Sequence, residues 1–268
     1  MCGIFGVLHA SSRPGELIRE ELKSGLQQVR HRGPDGSGTW ISSAAGLGLA
    51  HARLSVIDLA TGEQPMRSPD GRYTIVYNGE VYNYKELRQG LGAEPFRTTS
   101  DTEVVLHAYM TWGVGCLDRL RGMFAFAIWD ARDNQLFLAR DRFGIKPLYW
   151  AQHGRDLYFC SEMKGLMPFL GQRAVNPAAL SDYFSFQFCL GEKTLLSGVQ
   201  QFPAAHFALV SPGETPAPRR YWEVHYDIDY SHSERWFVER LQELMSDSMQ
   251  AHLRADVEIG TYLSGGLD

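Results

Sequence analysis

Between residues 123 and 162 four short stretches dominated by aromatic and aliphatic side chains, MFAFAIWD, QLFLARD, PLYWAQ and DLYFCSE, follow one another across brief polar turns of the DARDN and HGRD type. Residues that favour a pleated, half-buried surface, punctuated this tightly by turn formers, leave little room for helix and predict an antiparallel meander. The rest of the chain must supply what covers such a sheet.

It does so in both directions. Leu17, Ile18, Leu22, Leu26 and Val29 recur at helical spacing, so residues 15–30 read as an amphipathic helix that runs into the turn-rich HRGPDGSG. Residues 46–59 and 72–82 alternate in the manner of strands. In TTSDTEVVLHAYMTWG the period returns to that of a helix, with Ser100 as cap, Glu103 completing a capping box and Gly113 as stop. Asn176-Pro177 opens another helix to about Phe186, AHFALV is a last strand, and the proline-rich SPGETPAP marks the edge of a first domain, 1–212, followed by a linker over 213–230. From 231 to 268 the character changes. SERWFVERLQELMSDSMQAHL is a long amphipathic helix, VEIGTYL a strand candidate, and SGGLD a glycine turn, which together read as the start of a second, α/β domain cut short.

Composition narrows the function. A net charge of −5 with scattered basic residues gives no footprint for nucleic acid or an anionic membrane surface. No apolar run approaches the ~20 residues of a membrane span. The four cysteines lie far apart without a CxxC pair, and the nine histidines have no ligand spacing, so neither a disulfide framework nor a metal site is expected and a reducing, cytoplasmic setting fits best. GxxxxGK[ST] and HExxH are both missing.

The chemistry begins at MCGIFGVL. Loss of Met1 would leave Cys2 carrying both a thiol and a free α-amine; an amine of pKa ~7.7–8 is partly neutral at pH 7 and can take the proton of a thiol of pKa ~8.5. Nucleophile and base would then be one residue, the alternatives being a buried structural cysteine or an acylated one. Asn78-Gly79 in YNGEVYNY reads by pattern as a hairpin turn, and by chemistry as two donors for an oxyanion. Arg53 in HARLSVIDL can grip a carboxylate or merely edge a strand. Glu80 and Asp101 can meet an ammonium, or serve as a turn acid and a first-turn helix acid. Taken singly each has a plain explanation; together they are what a cysteine amidase for a zwitterionic amino-acid amide requires.

The motifs MCGIFG, RHRGPDG, HARLSVIDL, YNGEVYNY, SDTEVVLHAY, GMFAFAIWD, RDRFGIKPLYW, FCSEMKGL and LSGGLD occur in that order, and in them the chain resembles the class II glutamine amidotransferases, most closely the glutamine-hydrolysing asparagine synthetases. The resemblance implies an α+β fold: an N-terminal nucleophile hydrolase αββα four-layer sandwich, followed by the first helix and strand of an α/β ATP-pyrophosphatase domain. It implies Cys2 as nucleophile, Asn78 and Gly79 as oxyanion donors, Arg53 on the glutamine carboxylate, Glu80 and Asp101 on its ammonium, and Leu54, Ser55, Val56 and Ile57 lining the site with backbone. Leu263, Ser264, Gly265, Gly266, Leu267 and Asp268 would begin a pyrophosphate loop. Glutamine hydrolysis then needs no cofactor, whereas the parent synthetase uses ATP with Mg2+ and aspartate, and a homodimer is compatible with the type. An amidotransferase acting on another adenylated acceptor, a glycan or a peptide, and a non-catalytic scaffold with Cys2 never exposed are the rival readings.

Overall fold

A computed structural model describes residues 1–92, 96–261 and 265 of the chain. Strand β1 (Gly3–Leu8) leads to helix α1 (Gly15–Val29), the hairpin of β2 (Gly36–Ser42) and β3 (Leu47–Arg53), a short β4 (Met66–Arg67) and β5 (Tyr73–Val81). Helices α2 (Tyr84–Gly90), α3 (Asp101–Trp112) and α4 (Cys116–Arg119) precede four strands, β6 (Gly122–Asp130), β7 (Gln135–Arg140), β8 (Tyr149–His153) and β9 (Asp156–Cys160). Helix α5 (Pro177–Phe186), β10 (Val199–Gln201), β11 (His206–Val210), β12 (Arg219–Arg220) and α6 (Glu234–His252) complete the order.

The strands form two antiparallel sheets of six, β10-β8-β9-β1-β3-β2 and β12-β11-β7-β6-β5-β4. Between them lies one core layer, where Ile4 and Leu8 of β1 meet Ala125, Ala127 and Trp129 of β6. The alternate side chains of β1, Phe5 and Val7, pack outward on Ile18 and Leu22 of α1. On the opposite outer face Tyr77, Phe124 and Phe126 pack on Val104 and Val105 of α3. The architecture is αββα, and both faces of each sheet are covered. That explains why FAFAIW and GIFGVL are continuous apolar runs: a strand buried on both sides has no polar face to alternate with. Helix α1 lies close on its sheet because a Cβ at Gly25 would stand 2.5 Å from the Phe5 ring.

Several expectations need correction. The four aromatic stretches are two hairpins in different sheets, β6-β7 and β8-β9, because residues 141–148 carry the chain across the sandwich. Asn78-Gly79 is no hairpin: β5 runs straight through it, paired with β6 from Tyr73↔Asp130 to Val81↔Gly122. The strand expected over 46–59 stops at Arg53, since the next two amides turn from the ladder to side chains, Leu54 N–H to Cys2 Sγ at 3.4 Å and Ser55 N–H to Asp35 Oδ2 at 2.8 Å. Residues 257–261 of the VEIGTYL candidate form no strand, having no ladder partner among the described residues; Tyr262 and Leu263 lie outside them.

Other signals translate directly. Ser100 Oγ accepts the Glu103 N–H at 3.2 Å as expected of a cap, but the capping box is not completed: the Ser100 N–H goes to Thr98 Oγ1 at 3.2 Å, and the Glu103 carboxylate takes the Arg97 and Thr98 amides instead. Asn176 Oδ1 accepts from Ala178 and Ala179 at the head of α5, and Ser233 Oγ accepts from Trp236 at the head of α6. Residues 213–230 are not free of the sandwich throughout. Arg219-Arg220 add an edge strand beside His206-Phe207, and Tyr221 Oη donates to the Arg140 carbonyl at 2.9 Å.

Candidate active site

Cys2 stands at the head of β1, a strand that is hydrogen-bonded on one side to β3 and on the other to β9. Three elements hold it. Its Sγ donates to the Leu54 carbonyl at 3.6 Å and accepts the Leu54 N–H at 3.4 Å, its own carbonyl accepts from Arg32 Nε at 2.8 Å, and Arg32 is tied in turn to Glu162 at 2.9 Å. Burial pushes the thiol above its ordinary pKa, against the opposing pull of the Leu54 amide. The terminal amine, here that of Met1, is lowered by the same desolvation. Met1, 56% exposed, sits on the rim of the cavity that Cys2 lines.

That cavity has a volume of about 140 Å3, a small-molecule scale, and opens between the ends of β1, β3 and β5. Arg53, Leu54, Val56, Ile57, Asn78, Gly79, Glu80 and Asp101 all line it. Ser55 does not: its amide is turned to Asp35, away from the cavity wall.

Asn78 is 1% exposed, yet its Nδ2 has no acceptor. A buried amide N–H left unpaired costs about 1–3 kcal/mol, so the group is being kept for something that enters the cavity. The Gly79 N–H follows from strand alternation. Residues 77, 79 and 81 point their amides to the edge of β5 away from β6; the first is taken by Gln64 Oε1 at 2.6 Å and the third by Asp101 Oδ2 at 3.0 Å. The amide between them faces the cavity. Residue 79 must be glycine for steric reasons, because a Cβ there would lie 2.4 Å from the Met123 carbonyl oxygen.

The charged groups are arranged as a dipolar cradle. Arg53, at the end of β3, donates to the carbonyls of Asp58 and, at 3.5 Å, of Leu59, which fixes its guanidinium over the loop that follows. Glu80 and Asp101 line the same cavity. Asp101 is 5% exposed and accepts from Tyr77 Oη at 2.7 Å; burial raises its pKa against these hydrogen bonds. Burial, and then the neighbouring Asp101 charge, push Glu80 up to about 7, and its buried Oε1 has no partner. The Lys146 ammonium on the same cavity offsets this rise only in part.

Sequence reasoning missed Lys146, Gln64, Tyr77 and Met123, which also line the cavity. Lys146 is 5% exposed and lowered in pKa by desolvation. It is delivered by the crossing segment, whose amides at Phe143, Ile145 and Lys146 all donate to Asp141 while Arg140 grips the carbonyls of Gly144, Lys146 and Phe202. No local pattern marks it, since its role is set by a strap between two sheets. At the far end of the chain Gly265 is exposed, and Leu263, Ser264, Gly266, Leu267 and Asp268 lie outside the described residues. Among the described residues no group of three or more His, Cys, Asp or Glu could hold a metal ion, and no helix is long and apolar enough to cross a membrane.

Two antiparallel sheets packed face to face between helical layers, with a thiol at the head of a central strand, are the architecture of the N-terminal nucleophile hydrolases. Residues 1–222 match the family model of the glutamine amidotransferase domain, and the chain belongs to that family; residues 240–268 match that of asparagine synthase. Among curated relatives, asparagine synthetase [glutamine-hydrolyzing] 1 of Bacillus subtilis (strain 168) is 38% identical over 272 residues, covering 100% of this chain and 42% of the relative. Amidase chry2 of Gibberella zeae is 34% identical over 281 residues, covering 100% of this chain and 41% of the relative. The chain thus spans about two fifths of the length of these relatives. Among solved structures, the glutamine phosphoribosylpyrophosphate amidotransferase from B. subtilis superposes with a TM-score of 0.59 at 19% identity, over 82% of this chain and 49% of that one. A second, described as the allosteric regulatory enzyme of purine biosynthesis, gives 0.61 at 19% over 82% and 49%. Both support the fold.

Proposed function

We propose that this chain hydrolyses glutamine to glutamate and ammonia, with Cys2 as nucleophile once Met1 is removed. The single observation that carries the reading is the buried, unpartnered Asn78 Nδ2 on the same small cavity as the Cys2 thiol. Arg53 takes the substrate carboxylate and Glu80 with Asp101 its ammonium, which leaves the side-chain amide at Cys2. The Cys2 α-amine accepts the thiol proton, and the thiolate adds to the amide carbon. The carbonyl oxygen becomes an oxyanion held by Asn78 Nδ2 and the Gly79 N–H. Collapse breaks the C–N bond, the protonated amine returns its proton to the departing nitrogen, and ammonia leaves a thioester. Water, deprotonated by the amine, then adds to the thioester and releases glutamate with the thiol restored.

The same proposal divides the chain into a glutaminase unit over 1–212, a joining segment over 213–230 and the beginning of an ATP-binding unit over 231–268. In a longer protein built like the relatives, the ammonia would be delivered to aspartate activated by ATP with Mg2+. The identity to synthetases named for glutamine hydrolysis supports that acceptor. The comparable identity to amidases supports a second reading, an acceptor other than aspartate. The unpaired state of all four cysteines suits a reducing, cytoplasmic setting.

Purified protein should release glutamate from glutamine without ATP, and Cys2→Ala should abolish this. Equal rates in wild type and variant would leave only a scaffold role. Intact-mass measurement should show Met1 absent; a retained Met1 would place the amine on the wrong residue and end the self-activation mechanism.

A further inference from the structure

The turn that follows α6 reaches back to the loop between β3 and β4 and bonds to it twice. Asp256 N–H donates to the Val56 carbonyl at 2.9 Å, and Asp256 Oδ2 accepts the Asp58 N–H at 2.8 Å. Asp58 is a special position in that loop. Its φ is +54°, a left-handed conformation that aspartate tolerates better than most residues, and its carboxylate fastens the loop to Thr61 and Thr99 at 2.7 Å each. Both of its backbone groups are engaged across the loop: the N–H by Asp256, and the carbonyl by the Arg53 guanidinium. A continuous chain therefore runs from Asp256 through one peptide residue to Arg53 on the cavity wall. The turn is itself anchored on the amidotransferase unit, by Arg254 in a two-pronged pair with Glu86 at 2.6 Å and by the His252 ring set at a tilt of 38° against Tyr82, centroids 4.1 Å apart.

We propose that Asp256 is a positioning residue for the glutamine site: it holds the Asp58 peptide so that Arg53 presents its guanidinium to the substrate carboxylate. The segment that matches asparagine synthase thereby sets the glutamine affinity of the amidotransferase unit. The inference rests on the glutaminase reading of that unit. Arg53 would grip the carboxylate equally in ground and transition states, so loosening it weakens binding without slowing chemistry.

The test is steady-state glutamine hydrolysis by Asp256→Ala and Asp256→Asn. The alanine variant should raise KM about three- to tenfold, the scale of one lost hydrogen bond to backbone, with kcat within about twofold. Asparagine keeps an oxygen for the Asp58 N–H and should restore KM to within about twofold of wild type. A purely structural role would lower the active fraction, and so kcat, and leave KM alone; that pattern, or an unchanged KM in Asp256→Ala, overturns the proposal. Hydrogen exchange in the wild type gives a reading that depends on no variant folding. The Asp58 amide should be protected, and free exchange there also overturns it. Wild-type protein that does not hydrolyse glutamine at all would instead remove the glutaminase reading.

Discussion

Asn78→Ala should move catalysis and stability in opposite directions. In the free protein Asn78 Nδ2 is buried and bonds to nothing, so its deletion breaks no hydrogen bond and relieves a desolvation cost of about 1–3 kcal/mol. Against this stands the loss of roughly one buried carbon, ~0.8 kcal/mol. The gap opens onto an existing cavity and not into a sealed core, so no new void is enclosed. The net expectation is a variant between about 0 and 2 kcal/mol more stable than wild type. The same deletion removes an oxyanion donor, which costs about 2.7–4 kcal/mol of transition-state stabilisation, or 10²–10³ in kcat. The assays are glutamate release at saturating glutamine and urea unfolding monitored by fluorescence. A kcat within about threefold of wild type, or a stability loss above about 1 kcal/mol, would refute the reasoning: the first would mean that Asn78 does not hold the oxyanion, the second that it has a partner in the folded protein.

Three further outcomes follow from the geometry. Since Glu80 titrates near 7, KM for glutamine should fall as pH rises through about 7 and its carboxylate becomes available to the substrate ammonium; Glu80→Gln should flatten that dependence, and a KM profile unaltered by the substitution would place the ammonium elsewhere. Gly79→Ala would set a Cβ 2.4 Å from the Met123 oxygen and 2.8 Å from Phe124 Cα, both backbone atoms, and should cost about 1–3 kcal/mol on urea unfolding together with most of the activity; full stability would show that β5 and β6 are not so closely apposed. At the other end of β1, His9 is 2% exposed, with Nε2 2.8 Å from Glu21 and Nδ1 in a 2.9 Å ion-pair contact with Asp156 that is poorly aligned as a hydrogen bond. Burial alone would lower its pKa, but the two carboxylates outweigh it and raise the value above 6.5. Its stabilising contribution is therefore complete below 6.5 and lost as pH rises through the elevated value, so His9→Gln should destabilise more near pH 6 than near pH 9; equal losses would rule out the charged form.

How far the sequence could be read depended on whether a feature was local. Caps such as Ser100 and Asn176 act within three residues, and each was legible. Asn78-Gly79 was legible as chemistry but misleading as structure: the dipeptide that favours a tight turn here has its glycine because β6 leaves no room for a Cβ. The aromatic stretches told of strands and not of their sheet, since nothing in RDRFGIKPLYW announces that residues 141–148 cross the sandwich. Two other motifs turn out to brace the nucleophile. Gly33 of RHRGPDG passes beside β3 so closely that a Cβ would stand 2.2 Å from the Ala52 carbonyl carbon, Arg32 holds the Cys2 carbonyl, and Glu162 of FCSEMKGL holds Arg32. Lys146 stayed invisible for the same reason: a buried lysine is defined by what folds over it.

The burial of β1 also sets a clock. Its six residues are covered on both faces, and it is paired on one side with Leu157–Cys160. On the ribosome that pairing cannot close until some 160 residues have been made, about 8–30 s of synthesis at ~5–20 residues per second. During that interval β1 can be paired only along its β3 edge, Gly3↔Ala52 to Leu8↔Leu47, and the residues ahead of it are more open to an aminopeptidase than afterwards, when the Met1–Cys2 bond lies one residue from a strand zipped on both sides. The trimming of Met1 that the proposed mechanism requires would thus be a race against the chain's own elongation. An uncleaved affinity tag ahead of Met1 would forfeit that race outright, whereas a tag placed at the other end would leave it undisturbed.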